Sequence, residues 1–164
     1  QLLAPAGVMA RNDQKVRRLE GLDESVAVVS GEIPDALQVR EGPVSYTVDV
    51  RHGQKTGLFL DQRENRAAVR RLSAGSRVLN MFSYTGGFSV AAGVGGAKQV
   101  TSVDSAEPAI AAANAHWLLN GLPAEAHLGV LADAFDLASR GQVIVTIGIK
   151  PTEPAIGCTP LIRG

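Results

Sequence analysis

Residues 78–82, Val-Leu-Asn-Met-Phe, run into Ser83-Tyr84-Thr85-Gly86-Gly87 and then into an apolar stretch ending near Ala92. An apolar strand, a tight glycine turn and a helix, in that order, leave few folds open. The unit recurs. Residues 99–103 read as a second strand, followed by a helix over 107–120 with Pro108 in its first turn and Asn120-Gly121 at its end. Residues 126–131 read as a third strand, after which Asp133 caps a short helical turn, and residues 143–149 as a fourth. Strands that are apolar on both faces and alternate with helices form a parallel sheet covered on both sides. The expected class is α/β: the first four strands of a Rossmann-like sheet, preceded by a small mixed α/β element.

That first element differs in character. Residues 1–77 carry 12 Lys+Arg and 10 Asp+Glu, whereas residues 78–164 carry 4 and 6. The change near Gly75-Ser76 suggests three parts: a linking element over 1–75, the start of the sheet domain over 76–139, and an atypical tail over 140–164. Residues 26–29 form a brief apolar run. Val44, Tyr46, Val48 and Val50 alternate with Ser45, Thr47 and Asp49, the period of a half-buried strand. Asp61 with Glu64 three residues on predicts a capping box for a helix over 62–72, with Ala68, Val69 and Leu72 inward and Arg63, Arg66, Arg70 and Arg71 mostly outward.

Charge and composition narrow the partners. The 164 residues hold 16 basic and 16 acidic side chains, so no global field pulls the chain to nucleic acid or membrane. Aromatics make up 4%, which supplies no evident base-stacking platform. No stretch approaches the ~20 apolar residues of a membrane span. The first residues lack a secretory signal and an initiator Met, so the cytoplasm is the expected address and a start within a longer protein is expected. One cysteine, Cys158, excludes an internal disulfide, and His116 and His127 have no partner at ligand spacing, so no metal is expected. Trp117, among Ala and Leu, reads as core.

Three features fall at the carboxyl ends of successive strands, where open α/β sheets bind ligands. The glycine turn at 83–87 lets backbone approach a ligand and offers helix N–H groups to an anion. Asp104 can accept hydrogen bonds from a ribose diol. Asp133 and the backbone beside it can meet the amino edge of adenine. The order favours an adenosine cofactor. A dinucleotide would need G-x-G-x-x-G directly after the first strand, and Gly93-Val94-Gly95-Gly96 lies after the helix instead. S-adenosylmethionine has no pyrophosphate and fits better; a dinucleotide-binding oxidoreductase is the weaker alternative.

Residues 53–66 (GQKTGLFLDQRENR) and 78–90 (VLNMFSYTGGFSV) closely resemble the class I large-subunit ribosomal RNA cytosine-5 methyltransferases. Residues 17–22 and Gly31-Glu32 are similar to that family's linking domain, and the resemblance extends over about residues 8–139. It implies S-adenosylmethionine as cofactor and ribosomal RNA as partner. It also implies roles for individual residues. Phe82, Tyr84, Thr85 and Gly86 would surround the methionine part, and Asn80 would also bind the cofactor. Asp104 with Ser105 would hold the ribose, and Asp133 with Ala134 the adenine. Lys55, Thr56, Gly57, Asp61, Gln62 and Arg63 would roof the methionine end. The chain departs from the family further on. The family's Asp-Pro-Pro after strand four is replaced by Lys150-Pro151-Thr152, and its Ser-Cys motif has no counterpart around Cys158. A truncated or frame-shifted fragment is the expectation, either without catalytic residues or serving as a cofactor-binding pseudoenzyme. An exposed sheet edge at 143–149 would then promote self-association.

Overall fold

In a computed structural model, residues 4–139 are described, apart from the side chains of Lys55, Thr56 and Ala138. The expected fourth strand and the tail lie outside the described residues, and with them the sheet edge expected to self-associate.

The chain opens with an antiparallel ribbon of β1 (Gly7–Asn12) and β2 (Ser25–Gly31), joined across the short helix α1 (Val16–Leu19). The expected apolar run lies in β2, whose residues are exposed throughout. A second antiparallel pair follows, β3 (Leu37–Glu41) and β4 (Val44–Val48), closed by the Gly42-Pro43 turn. The alternation read from sequence is realised in β4. Val44, Tyr46 and Val48 are buried, and Val50 packs beside them just beyond the strand. Helix α2 (Arg63–Leu72) precedes the parallel sheet of β5 (Arg77–Met81), β6 (Gln99–Asp104) and β7 (His127–Leu131), with β6 in the centre. Helices α3 (Gly87–Val94) and α4 (Glu107–Leu119) make the crossovers, and α5 (Ala134–Ser139) follows β7. All three strands, both crossover helices and the Asp133-capped turn fall within two residues of the expected limits.

Packing ties the first element to the sheet. His116 on α4 reaches β4, where its Nε2 lies 3.0 Å from the Thr47 amide, while its Nδ1 lies 2.8 Å from the Thr85 carbonyl. Asn120 brackets Ser45, accepting its N–H and donating to its carbonyl, both at 2.8 Å. Gly93 and Gly95 permit close helix approach. A Cβ at Gly93 would stand 2.5 Å from the Trp117 ring, and one at Gly95 2.1 Å from the Arg70 carbonyl. Trp117 is core, as expected, with its indole N–H donating to the Pro123 carbonyl at 2.8 Å.

Two expectations about α2 are corrected. The Asp61–Glu64 capping box does not form. Asp61 sits in a separate 3-10 turn, Leu60–Gln62, and accepts from the Gln62 side-chain amide at 3.1 Å. The inward face is also rotated. Leu72 is 74% exposed, whereas Arg66 is only 3% exposed. Helical spacing identifies a face, but the neighbour that packs on it decides which face turns in. Glu41, on β3, draws Arg66 inward.

A directional polar chain runs under the sheet. Asn80 donates to Ser89 Oγ at 2.8 Å, Ser89 and Ser102 Oγ lie 2.6 Å apart, and Ser102 Oγ lies 2.8 Å from His127 Nε2. Each hydroxyl can donate onward only if Nε2 is unprotonated. Burial against Trp117, on which the imidazole stacks at 4.8 Å, holds the His127 pKa below its ordinary value. The unfolded imidazole therefore takes up its proton first as pH falls, so stability rises with pH between the folded and unfolded values. This contribution is complete above neutrality and lost as the pH drops through about 6.5 toward the lower folded value. Urea midpoints at about pH 7.5 and about pH 5.5 should differ more in the parent than in His127→Gln. Equal differences would show that His127 is not the group responsible.

Candidate functional site

Two non-glycine residues in left-handed backbone flank Ser83 at the end of β5: Phe82 at φ 54° and Tyr84 at φ 47°. Such a conformation costs on the order of 1–2 kcal/mol per residue and persists where surroundings over-determine it. Here three amides are held. Ser83 N–H donates to the Val103 carbonyl at 2.9 Å, Gly86 N–H to the Ser83 carbonyl at 2.9 Å, and Tyr84 N–H to Asp104 Oδ2 at 2.8 Å. The other Asp104 oxygen accepts from Ala106 N–H at 3.0 Å. Asp104 thus clamps the turn after β5 to the turn after β6. One further lone pair on each oxygen is left for a ligand.

A roof closes over this turn from the first element. Asp49 Oδ1 accepts from the amides of Arg51 and His52 at 2.8 and 2.9 Å, and its Oδ2 lies 3.1 Å from His52 Nδ1. Those bonds, led by the His52 amide, hold the Asp49 pKa below the usual carboxylate range. Gln54 N–H then donates to the Tyr84 hydroxyl at 3.0 Å. The Phe59 and Tyr84 rings meet edge-on at 5.6 Å, and Arg66 donates to the Phe59 carbonyl at 2.8 Å.

Roof and turn enclose a cavity of about 900 Å3. Its wall includes Asp61, Gln62, Phe82, Tyr84, Thr85 and Asp104 from the expected set. It also includes residues that sequence reasoning did not place at the site: Asp49, His52, Phe59, Arg66, Pro108, Ala109 and Ala112. The remaining expected residues stand elsewhere. Arg63 lines a different cavity. Asn80 gives its amide to Ser89. Gly57 backs onto β4, where a Cβ would stand 2.4 Å from Val48. Gly86 faces α4, the space for its Cβ being taken by Ala113 at 2.7 Å, so this glycine serves helix packing. Ser105 is exposed between two wall residues. Asp133 caps α5, accepting from Phe135 and Asp136 amides at 2.7 and 3.2 Å, and Ala134 is buried. The same helix start brings Phe135 against Phe82, ring centroids 5.6 Å apart. Of Lys55 and Thr56 only the backbone is described, in a 3-10 turn of the roof.

The donor set suits an adenosine cofactor with an amino-acid tail. Asp104 retains acceptor capacity for a diol. The exposed rings of Phe82 and Phe135, 63% and 73% accessible, offer apolar faces for a purine. Asp49 and Asp61 bring negative charge to the cavity wall, and Gly87 and Phe88, at the start of α3, line it too; such a wall suits a ligand with a positive centre, and a helix start suits an anionic group. Among the described residues, no group of His, Cys, Asp or Glu could hold a metal, and no helix is long and apolar enough to cross a membrane.

Residues 4–133 match the S-adenosylmethionine-dependent methyltransferase family. The chain belongs to that family. Its S-adenosylmethionine requirement agrees with the site, and the α/β fold agrees with solved members. A protein from Streptococcus mutans, assigned as a SAM-dependent methyltransferase, is 42% identical with a TM-score of 0.66, covering 71% of this chain and 31% of that one. A structure with the same figures is described as a methyltransferase complexed with SAH. A SAM-dependent methyltransferase from Agrobacterium tumefaciens, 23% identical with a TM-score of 0.64, covers 71% of this chain and 38% of its own and shares the fold. Curated relatives named ribosomal RNA large subunit methyltransferase I occur in Aeromonas salmonicida, 42% identical over 157 residues, and Shigella boydii, 43% identical over 159. Each alignment covers 93% of this chain and 40% of the relative, so this methyltransferase chain spans about 40% of their length.

Proposed function

We propose that the described residues form the S-adenosylmethionine-binding part of a methyltransferase acting on large-subunit ribosomal RNA, of the cytosine-5 type, in the cytoplasm. The carrying observation is the clamp of Asp104 on the strained Tyr84 turn, which lines a cavity of about 900 Å3; the 42% identical structure described as complexed with SAH supports the choice of cofactor. The substrate follows from the names of the curated relatives, and the base from the resemblance of residues 53–66 and 78–90. Bound cofactor supplies an electrophilic methyl group on sulfur. The chain's task is to orient it: Asp104 at the ribose, Phe82 and Phe135 at the purine, Asp49 and Asp61 toward the positive end. Calorimetric titration with SAH should show Asp104→Ala binding more weakly by about 1–3 kcal/mol, through lost hydrogen bonds and a loosened turn. Equal affinity in the two proteins would remove Asp104 from the site.

Transfer to cytosine C5 makes a further demand. C5 is a weak nucleophile until a thiolate adds to C6. The sequence holds one thiol, Cys158, between Gly157 and Thr159, with Arg163 and Lys150 five and eight residues away as the nearest cations. Cys158 does not stand in the family's Ser-Cys motif, and Lys150-Pro151 stands where the family has Asp-Pro-Pro. These 164 residues therefore bind cofactor without transferring its methyl group. Incubation with tritiated S-adenosylmethionine and unmodified large-subunit RNA should leave the RNA unlabelled. Labelling that disappears in Cys158→Ala would make Cys158 the nucleophile.

A further inference from the structure

The segment from Phe59 to Glu64 is a partition. Phe59, Asp61 and Gln62 face the cofactor cavity, whereas Arg63 and Glu64 face a second cavity of about 500 Å3; Arg66 borders both. The β3–β4 hairpin forms the opposite wall, carrying Arg40 beside Gly42, and Arg70 of α2 completes it.

The charges in this second cavity do not cancel. Glu41 is saturated by Arg66, which donates to both carboxylate oxygens at 2.8 and 2.6 Å. Arg63 lies 3.3 Å from Glu64, but both side chains are more than two-thirds exposed, and such a pair is easily exchanged for another anion. Arg40 commits only Nε, to the Gly42 carbonyl at 3.2 Å, which leaves its two terminal nitrogens. Arg70 makes no side-chain hydrogen bond or ion pair among the described residues, and its Nη1 stands 3.4 Å from where a Cβ on Gly42 would be. Three guanidinium groups on two elements thus converge on one concavity against a single exposed carboxylate. Planar forked donors of this kind match phosphate oxygens.

We propose that this groove binds the phosphodiester backbone of the RNA strand whose base enters the cofactor cavity. The proposal rests on the reading of the substrate as RNA and deepens it. An enzyme that works on a base must take it out of its stack, so the backbone has to run along the rim of the chemical cavity. The groove is placed for that, because Arg66 is a wall of both cavities. A single strand neutralised by Lys or Arg releases counterions, so binding must weaken with salt at a slope of about −0.7 per phosphate contact.

The test uses the full 164-residue chain with SAH and a fluorescein-labelled single-stranded oligoribonucleotide of about 12 nucleotides, read by anisotropy across a salt series. The double variant Arg40→Ala/Arg70→Ala should bind the RNA roughly tenfold more weakly at low salt, with a salt slope shallower by about one. Its SAH affinity should be unchanged, which certifies the fold. Arg71→Ala/Arg77→Ala removes the same charge from exposed positions outside the groove and should change RNA affinity less than twofold. Equal losses in the two double variants would overturn the groove while leaving RNA as substrate. A parent that binds SAH but no RNA would overturn both the RNA reading and the groove.

Discussion

Replacing Arg66 with alanine is expected to destabilise the protein by about 3–5 kcal/mol, because it leaves a carboxylate desolvated and unpaired. Arg66 is almost fully buried and Glu41 nearly so, at 3% and 16% side-chain exposure. Burial alone would lower the Arg66 pKa, but the hydrogen bonds to Glu41 and its negative charge, with Tyr46 and Asp61 adding to them, together outweigh burial and raise it. The guanidinium also lies over the Tyr46 ring, 5.9 Å from its centroid, and burial pushes the Tyr46 hydroxyl up to about 12. Removing the cation would leave Glu41, only 16% exposed, without its charged partner. Urea denaturation should report the loss as a lower midpoint. The double variant Arg66→Met/Glu41→Leu should recover most of it, since apolar replacement of a whole buried pair is often neutral. A loss below about 1 kcal/mol in Arg66→Ala would mean that Glu41 is solvated after all. Where the folded fraction permits a titration, SAH affinity should fall too, because Arg66 holds the Phe59 carbonyl and Phe59 rests on Tyr84.

Arg66 also marks the limit of what the sequence discloses. The parallel sheet was legible because β5, β6 and β7 are short runs with Val or Leu at several positions, they alternate with helices, and each is followed by a turn residue with a local reason to be there. The turn at 82–86 was legible for the same reason. Strands β1 and β3, GVMARN and LQVRE, were missed because neither is clearly apolar or clearly alternating, and both pair only with a neighbouring hairpin strand. An arginine on a helix is normally read as solvated, and nothing within one helical turn of Arg66 says otherwise. Its partner is 25 residues upstream on a strand with no sequence signal. The helix start beside the roof was misread in a similar way. Asp61 and Glu64 have capping-box spacing, yet a 3-10 turn detaches Asp61 from α2 and turns it into the cavity. Asp49 and His52 carried a weak signal, an Asx turn, but only the tertiary fold brings them opposite Asp104.

Gly86→Ala should cost about 3 kcal/mol, whereas Gly87→Ala, one residue on, should cost about 1 kcal/mol or less. The two glycines look equivalent in sequence and differ in what surrounds them. Gly86 sits at φ 74°, where an L side chain is strained by about 1–2 kcal/mol. Its new Cβ would stand 2.7 Å from the Ala113 Cβ and 3.0 Å from the Ala113 Cα, so α4 would have to shift, at a typical overpacking cost of about 1–3 kcal/mol. Gly87 opens α3 with no left-handed φ. Its Cβ would meet only the Arg66 side chain at 3.3 Å, and alanine is the better helix former by about 1 kcal/mol. In a chain of this length about 3 kcal/mol corresponds to a melting temperature lower by roughly 6–12 °C, readable by circular dichroism. Removing the opposing methyl in Gly86→Ala/Ala113→Gly should restore only part of the loss, because the φ strain and the crowding against the α4 backbone remain. Gly86 N–H also closes the turn onto the Ser83 carbonyl, so the variant should bind SAH more weakly even where it is folded. A Gly86→Ala protein that melts within a degree or two of the parent would show that the turn carrying Tyr84 tolerates right-handed backbone, and the strain argued for this site would fall with it.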